Sequence, residues 1–107
     1  MFFSNRSTIS PQKAHEIMGQ ADPYLLLDVR TPEEYKQIRI DGAKLLPVDE
    51  LARRAPSELP DKNILILIYC QSGMRATQAV KILTKMGYTN VVSFGGIINW
   101  RYGTTRG

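Results

Sequence analysis

The chain holds one cysteine, one histidine and one tryptophan among 107 residues, and these scarcities remove several kinds of chemistry at once. A lone Cys70 cannot close an internal disulfide, and with only His15 beside it there is no set of soft ligands from which to build a zinc centre. No metal site is expected, and no cofactor, since Gly95-Gly96 lacks the spacing of a dinucleotide-binding loop. Nowhere do ~18 apolar residues run together, which argues against a membrane span. Met1-Phe2-Phe3 meets Ser4, Asn5 and Arg6 before a signal segment can form, and the expected location is cytoplasmic. Cys70 acts alone or not at all.

At 43% hydrophobic and 22% charged residues the composition is that of an ordinary globular chain, long enough for one core and too short for two. A single domain over residues 1–107 is expected, with its core in about 7–100. The net charge of +4 comes from scattered residues, Lys13, Lys36, Lys44, Lys62, Lys81 and Arg101 among them. A dispersed basic surface favours small anions mildly and does not make a nucleic-acid groove.

Strand and helix patterns alternate along the chain. Ser10-Pro11 opens a helix with Ala14, Ile17 and Met18 on one face. Tyr24 to Val29 reads as a strand covered on both faces, and Thr31-Pro32-Glu33-Glu34 is a capping box that starts a helix just past Arg30. A short segment from Ala43 to Leu46 precedes a helical pattern from Val48 to Ala55 and a loop from Pro56 to Lys62. Ile64 to Ile68 is wholly apolar and β-branched at alternate positions, as a central parallel strand requires, and leads straight into Tyr69-Cys70. Ala76 to Met86 has helical spacing with Gly87 as its left-handed cap; Val91 to Phe94 is a last strand. Beyond Gly95-Gly96 comes a short helix with Ile97, Ile98 and Trp100, read as core, and a frayed end from Thr104 to Gly107. This alternation implies an α/β domain with a largely parallel sheet, whose ligands gather beyond the carboxyl ends of the strands.

Two segments reach such an end, Asp28-Val29-Arg30 and Cys70 to Arg75. Gln71-Ser72-Gly73-Met74-Arg75 leads from a buried strand into a helix whose first N–H groups have no internal partners. A loop curled round the sulfur would aim those dipoles at it, favouring the thiolate and any anion bound there, with Gly73 permitting the tight curl. Arg75, a cation at the positive end of a helix, needs compensation; Asp28 is the expected carboxylate partner, while Arg30 reads as a surface charge. His15 lies in a helical pattern far from the loop in sequence and takes no role.

The segments LLLDVRTPEEY, IDGAKLLPVDEL, YCQSGMRA and GYTNVVSFGGIINW, in this order, resemble the signatures of the rhodanese-like domains from about Ser7 to Trp100. The resemblance implies a parallel sheet of five strands flanked by helices, with Cys70 as the nucleophile, Gln71 to Arg75 as the substrate-binding loop and Asp28 as the supporting acid. It implies a sulfurtransferase: Cys70 takes sulfur from a small anionic donor such as thiosulfate as a persulfide, then passes it to cyanide or to a thiol, free or on a protein. The chain departs from the family pattern at Ile38-Arg39-Ile40-Asp41-Gly42-Ala43, where relatives often carry Gly-His-Ile-Pro-Gly-Ala; Arg39 stands for the histidine. Gln71 and Met74 fill positions where relatives sometimes have arginine, leaving Arg75 as the cation expected to meet the donor. A cysteine phosphatase would enclose five residues between cysteine and arginine, one more than Gln71 to Met74 supply, and an arsenate reductase would need a second cysteine. A persulfide carrier or interaction module, loaded by a partner protein, is the remaining alternative.

Overall fold

The computed structural model describes residues 7–107. Met1-Phe2-Phe3 and the three residues after them lie outside the described residues.

Eight elements alternate as expected: α1 (Pro11–Met18), β1 (Tyr24–Asp28), α2 (Pro32–Gln37), β2 (Lys44–Leu45), α3 (Leu51–Glu58), β3 (Leu65–Cys70), α4 (Met74–Lys85) and β4 (Val91–Gly96). Single 3-10 turns at Val48–Glu50 and Ile97–Asn99 precede α3 and follow β4. Local chemistry fixes the helix starts. Ser10 Oγ accepts the Lys13 N–H at 3.0 Å, and Pro11 sits where a missing donor costs nothing. The capping box of α2 closes reciprocally: Thr31 Oγ1 accepts from Glu34 N, while Glu34 Oε1 accepts from Thr31 N at 2.9 Å. Gly87 leaves α4 at φ +97°, the left-handed step expected of it.

The sheet is parallel throughout, in the order β2-β1-β3-β4. It has four strands among the described residues, where five were expected. The fifth place, beside β4, holds only an isolated bridge between Thr8 and Ser93, with Ile9 N and Ser93 N donating to Ser93 O and Ser7 O. Pro11 opens α1 soon after this bridge and ends the pairing on that side.

Strand alternation divides the core into two layers. Ile66, Ile68 and Cys70 face α3 and α4 with Leu27, Val29, Leu51, Ala76 and Leu83. Leu67 and Tyr69 face the opposite way, toward Ala14, Ile17, Leu26, Val92, Phe94 and Trp100. Tyr69 to Cys70 thus places the cysteine on the α4 side and its neighbour on the α1 side.

Two local expectations need correction. Helix α3 continues through Pro56 to Glu58, because Leu51 and Ala55 are fully buried and hold its last turn against the sheet; the segment after Ala55 is not yet loop. The carboxyl end is docked: Thr105 and Arg39 exchange backbone hydrogen bonds of 2.7 and 2.8 Å, and Trp100 Nε1 donates to Gly103 O. His15 stacks on Tyr102 with ring centres 3.9 Å apart, a packing role. Leu67 has no solvent exposure at the centre of β3, so Leu67→Ala is expected to cost about 2–5 kcal/mol in urea denaturation through transfer and cavity terms.

Candidate active site

The cysteine loop is built from a strand end, a glycine and a helix start. Cys70 ends β3 with a relative exposure of 1%, and its Sγ accepts a hydrogen bond from Gly73 N at 2.9 Å. That bond turns the chain back upon the sulfur, and Gly73 takes φ +120°, which a residue with a Cβ rarely adopts. Gly73 is also the N-cap of α4, whose first turn is held by Thr77 N and Oγ1 donating to Gly73 O. The positive end of a twelve-residue helix therefore opens at the sulfur.

The loop rests on β4. Pairing between β3 and β4 slips between Ile68–Ser93 and Cys70–Gly96, so β4 carries an extra residue, and Gly95 absorbs it at φ +97°. A Cβ on Gly96 would stand 2.1 Å from Gln71 O and 2.5 Å from Ser72 Cα. Ile98 N donates to the same Gln71 carbonyl at 3.4 Å. Gly95-Gly96, which lacks the spacing of a dinucleotide loop, is the surface on which the cysteine loop sits.

Arg30 is the largest departure from expectation. Its side chain is 1% exposed, and Asp28 beside it is fully buried. Arg30 Nε and Nη2 donate to the Asp28 carboxylate, Nη2 at 2.7 Å, while Arg30 N donates to Asp28 Oδ1 at 3.0 Å. The remaining donors reach Ile38 O at 2.7 Å and Gln71 Oε1 at 3.3 Å. Burial lowers the Arg30 pKa, but the Asp28 hydrogen bonds and charge outweigh it and hold it above the ordinary value. Tyr69, next to Cys70, lies under the same guanidinium at 5.6 Å and is fully buried; burial pushes its hydroxyl well above the usual phenol range, and Asp28 adds to this.

Asp28 therefore does not pair with Arg75. Alternation sets Asp28 on the face of Tyr69, its register partner, whereas Arg75 belongs to α4 on the face of Cys70. Arg75 instead grips Glu34 with two parallel bonds, Nη1 to Oε1 at 2.8 Å and Nη2 to Oε2 at 3.0 Å. The Arg75 hydrogen bond is the chief cause that lowers the Glu34 pKa to about 2, helped by the Thr31 N–H. Glu34 thus caps α2 and ties it to the loop, a second duty that the capping pattern alone did not reveal. Ser72 and Met74 face solvent, Met74 with 83% exposure. Arg39, in place of the usual histidine, donates to Tyr35 O and lies 4.8 Å over the Tyr35 ring, turned toward α2. Among the described residues no group of acidic, histidine and cysteine side chains could hold a metal, and no helix is long and apolar enough to cross a membrane.

Fold and site together define a parallel α/β domain with a cysteine at a strand end, where the loop Gln71 to Arg75 turns back upon it. The rhodanese-like domain model matches residues 10–102, and the chain belongs to that family. It is 42% identical to thiosulfate sulfurtransferase PspE of Escherichia coli over 71 residues, 66% of this chain and 68% of that protein. A sulfurtransferase of Allochromatium vinosum is 38% identical over 93 residues, covering 86% and 85% of the two chains. In the longer adenylyltransferase/sulfurtransferase MoeZ of Mycobacterium tuberculosis, 32% identical, the chain spans 24% of the length. An Escherichia coli rhodanese structure superposes with a TM-score of 0.74 at 36% identity, over 79% of this chain and all of that one.

Arg30→Met is expected to lose about 3–5 kcal/mol in denaturant unfolding, because it strands the buried Asp28 carboxylate. Glu34 ionises at about 2 in the folded protein against 4.5 unfolded, so its contribution to stability is complete above pH 4.5 and drains as pH falls toward 2. Acid unfolding of Glu34→Gln should accordingly lack part of the pH dependence that the parent shows over that window.

Proposed function

We propose that this chain, a rhodanese-like sulfurtransferase, moves sulfane sulfur through a persulfide on Cys70. The Cys70 thiolate attacks the outer sulfur of a donor such as thiosulfate; the S–S bond of the donor breaks and sulfite leaves with the electron pair. The outer sulfur of the resulting persulfide is then attacked by cyanide or a thiol, free or on a protein, and Cys70 leaves as thiolate.

The observation that carries this reading is the Gly73 N–H bond to Cys70 Sγ at the mouth of α4. Gly73 gives its amide to the sulfur; in this reading the amides of Gln71, Ser72, Met74 and Arg75 join it around the transferred sulfur, and these fixed dipoles stabilise negative charge there without reorganising. The loop needs no side-chain base for this exchange, since no proton moves when a thiolate displaces sulfite. Asp28 supports the site indirectly, by fixing Arg30 and through it Gln71.

Incubation with thiosulfate should add one sulfur atom to the intact mass of the parent protein, and cyanide should remove it as thiocyanate. Cys70→Ser should gain nothing. A parent protein that is folded and yet unchanged in mass contradicts the assignment, while slow uptake from thiosulfate with rapid uptake from a persulfidated protein marks a carrier.

A further inference from the structure

The cation expected to meet the donor is already matched. Arg75 gives both terminal nitrogens to Glu34, and their side chains are 32% and 29% exposed. Arg30 is matched by Asp28 through Nε and Nη2. The cleft of about 210 Å³ lined by Arg30 and Arg75 also carries Asp49, so a further carboxylate stands beside two guanidiniums that Asp28 and Glu34 already hold. On the opposite side of the loop, a cleft of about 430 Å³ is lined by Thr8, Ser72, Gly73, Met74, Thr77 and Ser93, with no charged side chain among its described residues. The exposed Met74 offers that cleft an apolar edge.

Charge then decides between donors. Thiosulfate is a dianion, and with the Cys70 thiolate it gathers three negative charges at the loop from encounter until sulfite departs. A thiosulfonate replaces one anionic oxygen by carbon; the same S–S bond breaks, a sulfinate leaves with the electron pair, and only two charges are present. The amides and the α4 terminus favour both donors, but a cation neutralised by a neighbouring carboxylate offers the second charge of thiosulfate little more.

Resting on the sulfur-transfer reading above, we propose that Glu34, by holding the Arg75 guanidinium, is a specificity-determining residue that turns this site toward organic sulfane-sulfur donors of low charge and away from dianionic thiosulfate. The uncharged body of such a donor fits against Met74 and the hydroxyl-lined cleft. Glu34 touches neither donor nor sulfur in this role; it acts through Arg75.

The test is kcat/KM for thiosulfate and for methanethiosulfonate, with cyanide as acceptor, in the parent, Glu34→Gln, Glu34→Ala and Glu34→Asp at low and high salt. Gln keeps an oxygen for the Thr31 N–H, and Ala provides an independent removal of the charge. Both neutral variants should raise the ratio of thiosulfate to methanethiosulfonate by about threefold or more at low salt, mainly through KM, with the gain shrinking as salt screens it. Glu34→Asp should keep the parent ratio even if both rates fall. An unchanged or lowered ratio in the neutral variants overturns the proposal and leaves sulfur transfer standing, whereas a parent protein that takes sulfur from neither donor overturns both.

Discussion

Arg30 and Asp28 form an ion pair almost without water, at the end of β1 and behind the cysteine loop. Taking two charges out of water is costly, and the cost is offset only because every nitrogen of the guanidinium finds an acceptor. Those acceptors belong to three separate segments: the end of β1, the chain leaving α2 and the first residue after Cys70. A surface arginine could not join them. The pair is a clamp, and the position of Gln71, hence the direction in which the loop leaves the sheet, depends on it.

Above this clamp the sulfur is held by backbone rather than by side chains. Gly73 reaches the left-handed region to point its N–H at Cys70, and Gly96 offers a surface without a Cβ, against which Gln71 and Ser72 lie. The Arg75–Glu34 bridge closes the outer side and joins α2 to the first turn of α4. The same bridge determines how much positive charge remains for a substrate. Rigidity and charge balance are therefore set by one contact, so a change at Glu34 alters both together.

Much of this was legible in the sequence. The apolar run before Tyr69, the Ser10 cap, the capping box of α2 and the glycine cap of α4 act locally, within a turn or two, and their outcome matches the pattern. Cys70, Gly73 and the helix beyond them follow from the same local rules. What escaped depends on relations between distant segments. Pairing Asp28 with Arg75 required them to lie on one face, but strand parity put them on opposite ones. Arg30 reads as a surface charge because Asp28 alone of its acceptors is local, and the two that complete its burial lie at positions 38 and 71, beyond any local window. Glu34 already had a satisfying explanation as a cap, and Gly96 becomes meaningful only once β4 lies beside the loop. The fifth strand is implied by resemblance, and among the described residues its place holds only the bridge at Thr8.

If backbone amides at a strand end are what stabilise the transferred sulfur, the persulfide itself should reveal it. A crystal structure of the protein after loading with a sulfane donor should show one added atom about 2.0 Å from Cys70 Sγ, within hydrogen-bonding distance of N–H groups from residues 71–75. An added sulfur that points away from those amides, or a loaded protein whose loop has opened to bring side-chain cations onto it, would contradict the account.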